Sequence, residues 1–128
     1  MKKRLLLILF VLLGVSCVFG FYQSTDPDQL LIEQLSKSGA DVSKAHDIAF
    51  LLYFPNSDGA AKAMVDIYEK KFDAEIKKPE KAGEPWSCIA KKTMVPELKA
   101  MQKIRRQFVT IATANGGEYH GWSAIPVK

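Results

Sequence analysis

Apolar and polar positions divide the chain into an unbroken apolar run near the start, followed by segments of helical or strand period. Leu5 to Tyr22, LLLILFVLLGVSCVFGFY, carries no charge, and the short basic head Lys2-Lys3-Arg4 precedes it. A basic head followed by an apolar run is the pattern of an export signal. It is not the pattern of a core helix, because every face is apolar. Basic residues stay on the cytoplasmic side, and Asp26 and Asp28 lie beyond the run, so the folded part is expected outside the cytoplasm. Three fates share that topology. Cleavage can follow Val18-Phe19-Gly20. Gly14-Val15-Ser16-Cys17 resembles a lipoprotein box, with Cys17 as the lipidated residue. Retained as an anchor, the 18 residues reach about 27 Å at the helical rise, just short of a typical core of about 30 Å.

Past the run the periods change. Asp26-Pro27-Asp28-Gln29 predicts a helix start, with Asp26 as cap and Pro27 at the first helical position. Leu31, Ile32 and Leu35 give a short apolar stripe, and Gly39 ends the helix. Ala45 to Phe54 is dense in aromatic and branched residues and reads as a strand. Ile48, Phe50, Leu52 and Phe54 share one face, with Ala49, Leu51 and Tyr53 on the other; two apolar faces predict a central position in a sheet. Asn56-Ser57-Asp58 predicts a helix to about Lys71, with Ala60, Met64, Ile67 and Tyr68 on one face. Phe72 to Lys77 alternates apolar with charged, as a half-buried strand does. After the turn-rich loop Pro79 to Pro85, Trp86 to Met94 predicts a third strand. Pro96 opens the longest helix, where Leu98, Met101, Ile104, Phe108 and Ile111 recur at helical spacing. Asn115-Gly116-Gly117 stops it, and Glu118 to Val127 predicts the last strand.

The order after the leading helix is strand-helix-strand-strand-helix-strand. That is an α+β fold of ferredoxin-like, split βαβ type, with two helices on one face of an antiparallel sheet in the order 4-1-3-2. The crossovers should be right-handed. The other sheet face is partly apolar and awaits a partner or the leading helix. The chain divides into a signal, lipoprotein signal or anchor over 1–22, a leading helix over 23–41 and the domain over 42–128.

Charge and chemistry change this picture only slightly. The net charge of +4 is misleading, because Lys2, Lys3 and Arg4 account for three of the 18 basic residues. The remaining 15 face 14 acidic ones, a net of +1. No global field draws nucleic acid, and no aromatic strand motif for RNA occurs, so nucleic-acid binding is not expected. Lys99, Lys103, Arg105 and Arg106 point away from the apolar stripe of the long helix, with Lys91-Lys92 just before it. A solvated face is the plainest reading of them; the functional one is a docking site for an acidic partner or anionic headgroups. Cys88 stands alone in the folded part and reads as a small buried side chain. His46 and His120 begin antiparallel neighbouring strands at opposite ends of the sheet. They are expected as boundary histidines rather than as a shared metal or acid-base site. No phosphate loop, zinc spacing or nucleophile elbow occurs, so neither catalytic residues nor a cofactor is expected.

Glu118-Tyr119-His120-Gly121-Trp122 resembles the E-Y-D-G-W-G segment that closes the RraB family, the regulators of ribonuclease E activity B. His46-Asp47-Ile48 with Phe54 is similar to that family's histidine-and-phenylalanine strand, Phe72-Asp73-Ala74-Glu75 to its G-Y-E-V strand, and Cys88 lies where the family also carries cysteine. The resemblance covers roughly residues 28 to 124. It implies a ferredoxin-like domain, not itself an enzyme, that inhibits ribonuclease E by binding its C-terminal scaffold region. His120 stands where the family has Asp, and Ser123 replaces its second Gly. Tyr119 and Trp122 are expected to pack, and Gly121 to allow a bend. Ribonuclease E works in the cytoplasm, whereas the N-terminal pattern argues for export. The expected function is therefore that of a non-enzymatic, RraB-like protein-binding domain of the cell envelope or periplasm, held to the membrane through its N-terminus. The alternatives are a membrane-tethered inhibitor of ribonuclease E facing the cytoplasm, and an envelope enzyme or small-ligand binder.

Overall fold

The computed structural model describes residues 26–128; the apolar run, Cys17 and the signal assigned to 1–22 lie outside the described residues. The elements are α1 (Pro27–Lys37), β1 (His46–Phe54), α2 (Ser57–Glu69), β2 (Asp73–Lys77), β3 (Trp86–Met94), α3 (Leu98–Ala114) and β4 (Glu118–Ala124). The strands form one antiparallel sheet in the order β2-β3-β1-β4. Read from the other edge, this is the order expected from the sequence, and β1 is central as its two apolar faces require.

Local chemistry sets the boundaries. Asp26 caps α1, its Oδ1 accepting from the N–H groups of Asp28 and Gln29 at 2.9 and 3.0 Å. Asn56 caps α2 by accepting from Gly59 N–H at 2.9 Å. These bonds satisfy amide donors that the first helical turn leaves free. Gly39 (φ +98°) and Gly116 (φ +79°) supply the left-handed residue beyond α1 and α3. Pro96 does not open α3 as expected. The helix starts at Leu98 with Glu97 in the cap position and no side-chain cap bond, and Pro96 is buried just before it.

Ile48, Phe50, Leu52 and Phe54 turn to the helix layer and are almost fully buried. Phe50 meets Phe108 and Phe72 edge-on, with ring centroids 5.3 and 5.6 Å apart. Phe108 and Phe72 stand 5.0 Å apart. Each buried ring contributes about 1.5–3 kcal/mol by leaving water, and edge-to-face contact adds a fraction more. On α2 the buried positions are Gly59, Ala60, Ala63 and Ile67. Tyr68, assigned to that face from its period, is instead half-exposed and donates its hydroxyl to Ala74 O at 2.9 Å. β4 ends at Ala124, three residues earlier than the pattern suggests, and Ile125 is 73 % exposed.

His46 corrects another expectation. It is 1 % exposed, a core residue rather than a boundary one. Its Nε2 accepts from Val127 N–H at 3.1 Å, and its Nδ1 lies 2.9 Å from Lys44 O. A ring nitrogen that accepts leaves the other to donate, so the contacts select the neutral Nδ1–H form. Asp41 N–H donates to Val127 O at 2.7 Å. The last residues are thereby strapped to the loop leading into β1.

Candidate functional site

Of the residues matching the family segment in β4, Tyr119, Gly121 and Trp122 have a place in the fold. β4 carries an irregularity opposite Leu51 and Leu52: Leu52 pairs with Tyr119 and Leu51 with Gly121, leaving His120 as the additional residue. Gly121 occupies φ +134°, a conformation side chains rarely adopt. The bulge keeps Tyr119 and Trp122 on the helix side and turns His120 to the open face, where its ring lies 5.1 Å from Tyr53. Glu118 is exposed. Tyr119 meets Phe108 at 6.1 Å; its hydroxyl is buried without a hydrogen-bond partner among the described residues, and burial pushes the phenol well above its usual range.

Trp122 donates its indole N–H to Asp28 Oδ1 at 3.0 Å. Asp28 is 1 % exposed. Burial raises its pKa, against the lowering effects of the Trp122 bond and the Arg105 guanidinium. Arg105 Nε stands 2.9 Å from Asp28 Oδ2, an ion-pair contact rather than an aligned hydrogen bond. A second guanidinium nitrogen of Arg105 lies 3.2 Å from Asp26 Oδ2, which also accepts from Gln102 at 3.0 Å. The amide bonds from Gln29 and Asp28, with Gln102 and Arg105, hold the Asp26 carboxyl below its ordinary value despite some desolvation. This network fastens α1 to α3 and β4. It also corrects the reading of the basic helix face. Arg105 turns toward α1 and is committed there, while Lys99, Lys103 and Arg106 remain exposed. Sequence reasoning missed Asp28 as a buried acceptor; the signal was a buried-type Trp whose N–H needs a partner.

The other basic residues separate as well. Lys91 pairs with Glu75 at 3.2 Å on the open face, and Lys92 stands 4.6 Å above the Phe72 ring on the helix side. Cys88 is fully buried in β3, and burial pushes its thiol up to about 11. It has neither the exposure nor the thiolate of a reactive cysteine. Among the described residues no group of three His, Cys, Asp or Glu side chains is placed to hold a metal ion, and no helix is long and apolar enough to cross a membrane. His46 and His120 lie apart, one in the core and one on the surface.

The sheet face opposite α2 and α3 offers a connected surface. Register places Ala49, Leu51, Tyr53 and Ile89 along its centre, all half-buried; among the described residues α2 and α3 pack on the other face, and Leu31 of α1 borders this one. Around them stand Asp47, Asp73, Glu75 and Glu118 against only Lys77 and Lys91. A groove of about 450 Å³ runs between Leu31 of α1 and Leu51, Ile89 and His120. It shares Ala49 and Ser123 with a second groove of about 560 Å³ between Asp47, Asp73, Lys91 and Thr93. An apolar centre with a polar rim is the anatomy of a protein-binding surface.

Fold and surface together define a small α+β module with a half-buried apolar strip, Ala49, Leu51, Tyr53 and Ile89, along its open sheet face. Residues 25–124 match the family described as Regulator of ribonuclease activity B, RraB, and the chain belongs to that family. No curated protein matches the chain. The family description carries a regulatory role exerted on a ribonuclease, which is a role in protein binding.

Proposed function

We propose that this chain is a non-enzymatic, protein-binding regulator of the RraB kind, tethered through its N-terminus with its domain on the outer side of the cytoplasmic membrane. The observation that carries the binding role is the open sheet face, apolar at Ala49, Leu51, Tyr53 and Ile89, which among the described residues α2 and α3 leave free and α1 borders through Leu31. The tether and the side rest on the basic head Lys2-Lys3-Arg4 ahead of the uncharged run Leu5 to Tyr22. Domain limits follow: 1–22 for export, lipidation at Cys17 or anchoring, 23–41 for the leading helix, and 42–128 for the module.

A second reading has its own support. The family match names ribonuclease regulation, which calls for a tethered inhibitor facing the cytoplasm. Fusing alkaline phosphatase, and separately a cytoplasm-only fluorescent reporter, after Lys128 decides between them. Active phosphatase with a dark fluorescent fusion supports the outer placement and removes direct contact with a cytoplasmic nuclease. The reverse pattern sinks the outer placement and leaves nuclease regulation as the function.

A further inference from the structure

We infer that the exposed basic stripe Lys99–Lys103–Arg106 of α3 lies against the anionic headgroups of the membrane that tethers the chain, so that the helix layer faces the lipid and the open sheet face looks away from it. The inference rests on the tethered reading above. Positions 99, 103 and 106 are spaced by four and three, so they share one flank of a helix over about 10 Å. All three are exposed, and among the described residues none has an ion-pair partner. Arg105, the neighbouring cation, is neutralised by Asp26 and Asp28.

What commits the stripe to lipid is where the chain joins the domain. Asp26 is bonded to Gln102 and Arg105 of the same helix. Gln102 is next to Lys103 in sequence and within one turn of both Lys99 and Arg106. The uncharged run ends at Tyr22, four residues before Asp26, a span of at most about 14 Å. A domain anchored through that run therefore carries α3 close to the surface before it meets any soluble partner. A tether that short lets the helix come within the screening length of about 8–10 Å, where an anionic surface acts on lysine and arginine. The opposite face bears Asp47, Asp73, Glu75 and Glu118 against Lys77 and Lys91, and the same surface repels it. Both fields turn the molecule the same way and leave the apolar sheet face free for a protein.

The test uses the full chain reconstituted into vesicles of phosphatidylcholine alone, or with about one-third phosphatidylglycerol. Flotation on neutral vesicles reads the tether. A water-soluble amine-acetylating reagent followed by peptide mass spectrometry reads orientation. Lys99 and Lys103 should acetylate several-fold more slowly on anionic than on neutral vesicles, with Lys77 and Lys91 unchanged, and about 0.5 M salt should erase the difference. Equal rates at Lys99 and Lys103 on both vesicles overturn the inference while leaving the tether intact. So does equal slowing at Lys77 and Lys91. Protection that appears only when an acidic protein is added gives the stripe to that protein and overturns the lipid assignment. Failure to float sinks the tethered reading itself, and this inference with it.

Discussion

The indole N–H of Trp122 and the buried carboxylate of Asp28 meet at 3.0 Å across 94 positions of sequence. This single bond closes α1 onto the end of the sheet. Removing one partner strands the other in a water-free site, which costs about 1–3 kcal/mol. Asp28→Ala and Trp122→Phe should each lose at least that much in urea unfolding. In a double-mutant cycle they should couple by about 1–3 kcal/mol. Additive losses would show that the bond does not hold α1.

Asp28 also sets a pH signature. Burial raises its pKa above 3.8, so the fold takes up its proton more readily than the open chain does. Stability from this group is present below pH 3.8 and is lost as pH rises through the folded value. Asp26 runs the other way: its lowered pKa contributes stability above 3.8 that is lost as pH falls through the folded value. Asp28→Asn keeps an acceptor for Trp122 and cannot ionise. Relative to the native chain it should gain stability as pH rises above 3.8 through the folded value of Asp28. A constant difference across that rise would mean that Asp28 does not titrate as its burial requires.

The elements were legible because their periods are clean. β3 falls on Trp86–Met94 as read, and the caps Asp26 and Asn56 act as their residue types predict. The layer order followed from β1 having two apolar faces. What the sequence did not disclose were contacts between distant segments. Helical period put Arg105 beside Lys103 and Arg106 on a wet face, yet it lies near enough to the α1 seam for two carboxylates to claim it. His46 looked like a boundary residue because its acceptor role depends on Val127, 81 positions away. The open face of the sheet was expected, but the bulge that delivers His120 to it was visible only as a glycine in a strand.

That histidine strap is open to direct measurement. His46→Leu removes the acceptor of Val127 N–H and the donor to Lys44 O. The expected cost is about 1–3 kcal/mol, with amide exchange at Val127 accelerated well beyond that of β2 and β3. Unchanged protection at Val127 would show that the Asp41–Val127 bond alone holds the segment.

Gly117 tests the close approach between the end of α3 and β1. A Cβ there would run into Tyr53 O and the Phe54 ring, and neither backbone nor core ring can yield cheaply. Gly117→Ala should cost about 1–3 kcal/mol through overpacking. Gly83, at φ +89° with open space around it, should lose only about 1 kcal/mol on the same change. Gly117 has no positive φ, so a loss no larger than at Gly83 would mean that β1 shifts to admit the methyl group.

The last prediction separates the two surfaces. Leu51 and Ile89 are neighbours across β1 and β3 on the open face, and both are half-buried there. Polar side chains of similar size there should leave the core intact, because Phe50, Leu52, Cys88 and Ala90 point the other way. A Leu51→Gln, Ile89→Thr chain should therefore melt within a few degrees of the native one, yet bind its protein partner at least tenfold more weakly. An interface loses its affinity when the buried apolar centre is made polar. The Lys99→Gln, Lys103→Gln, Arg106→Gln chain should retain that partner. If the second chain loses the partner and the first keeps it, α3 rather than the sheet is the docking surface, and the orientation argued for the membrane falls with it.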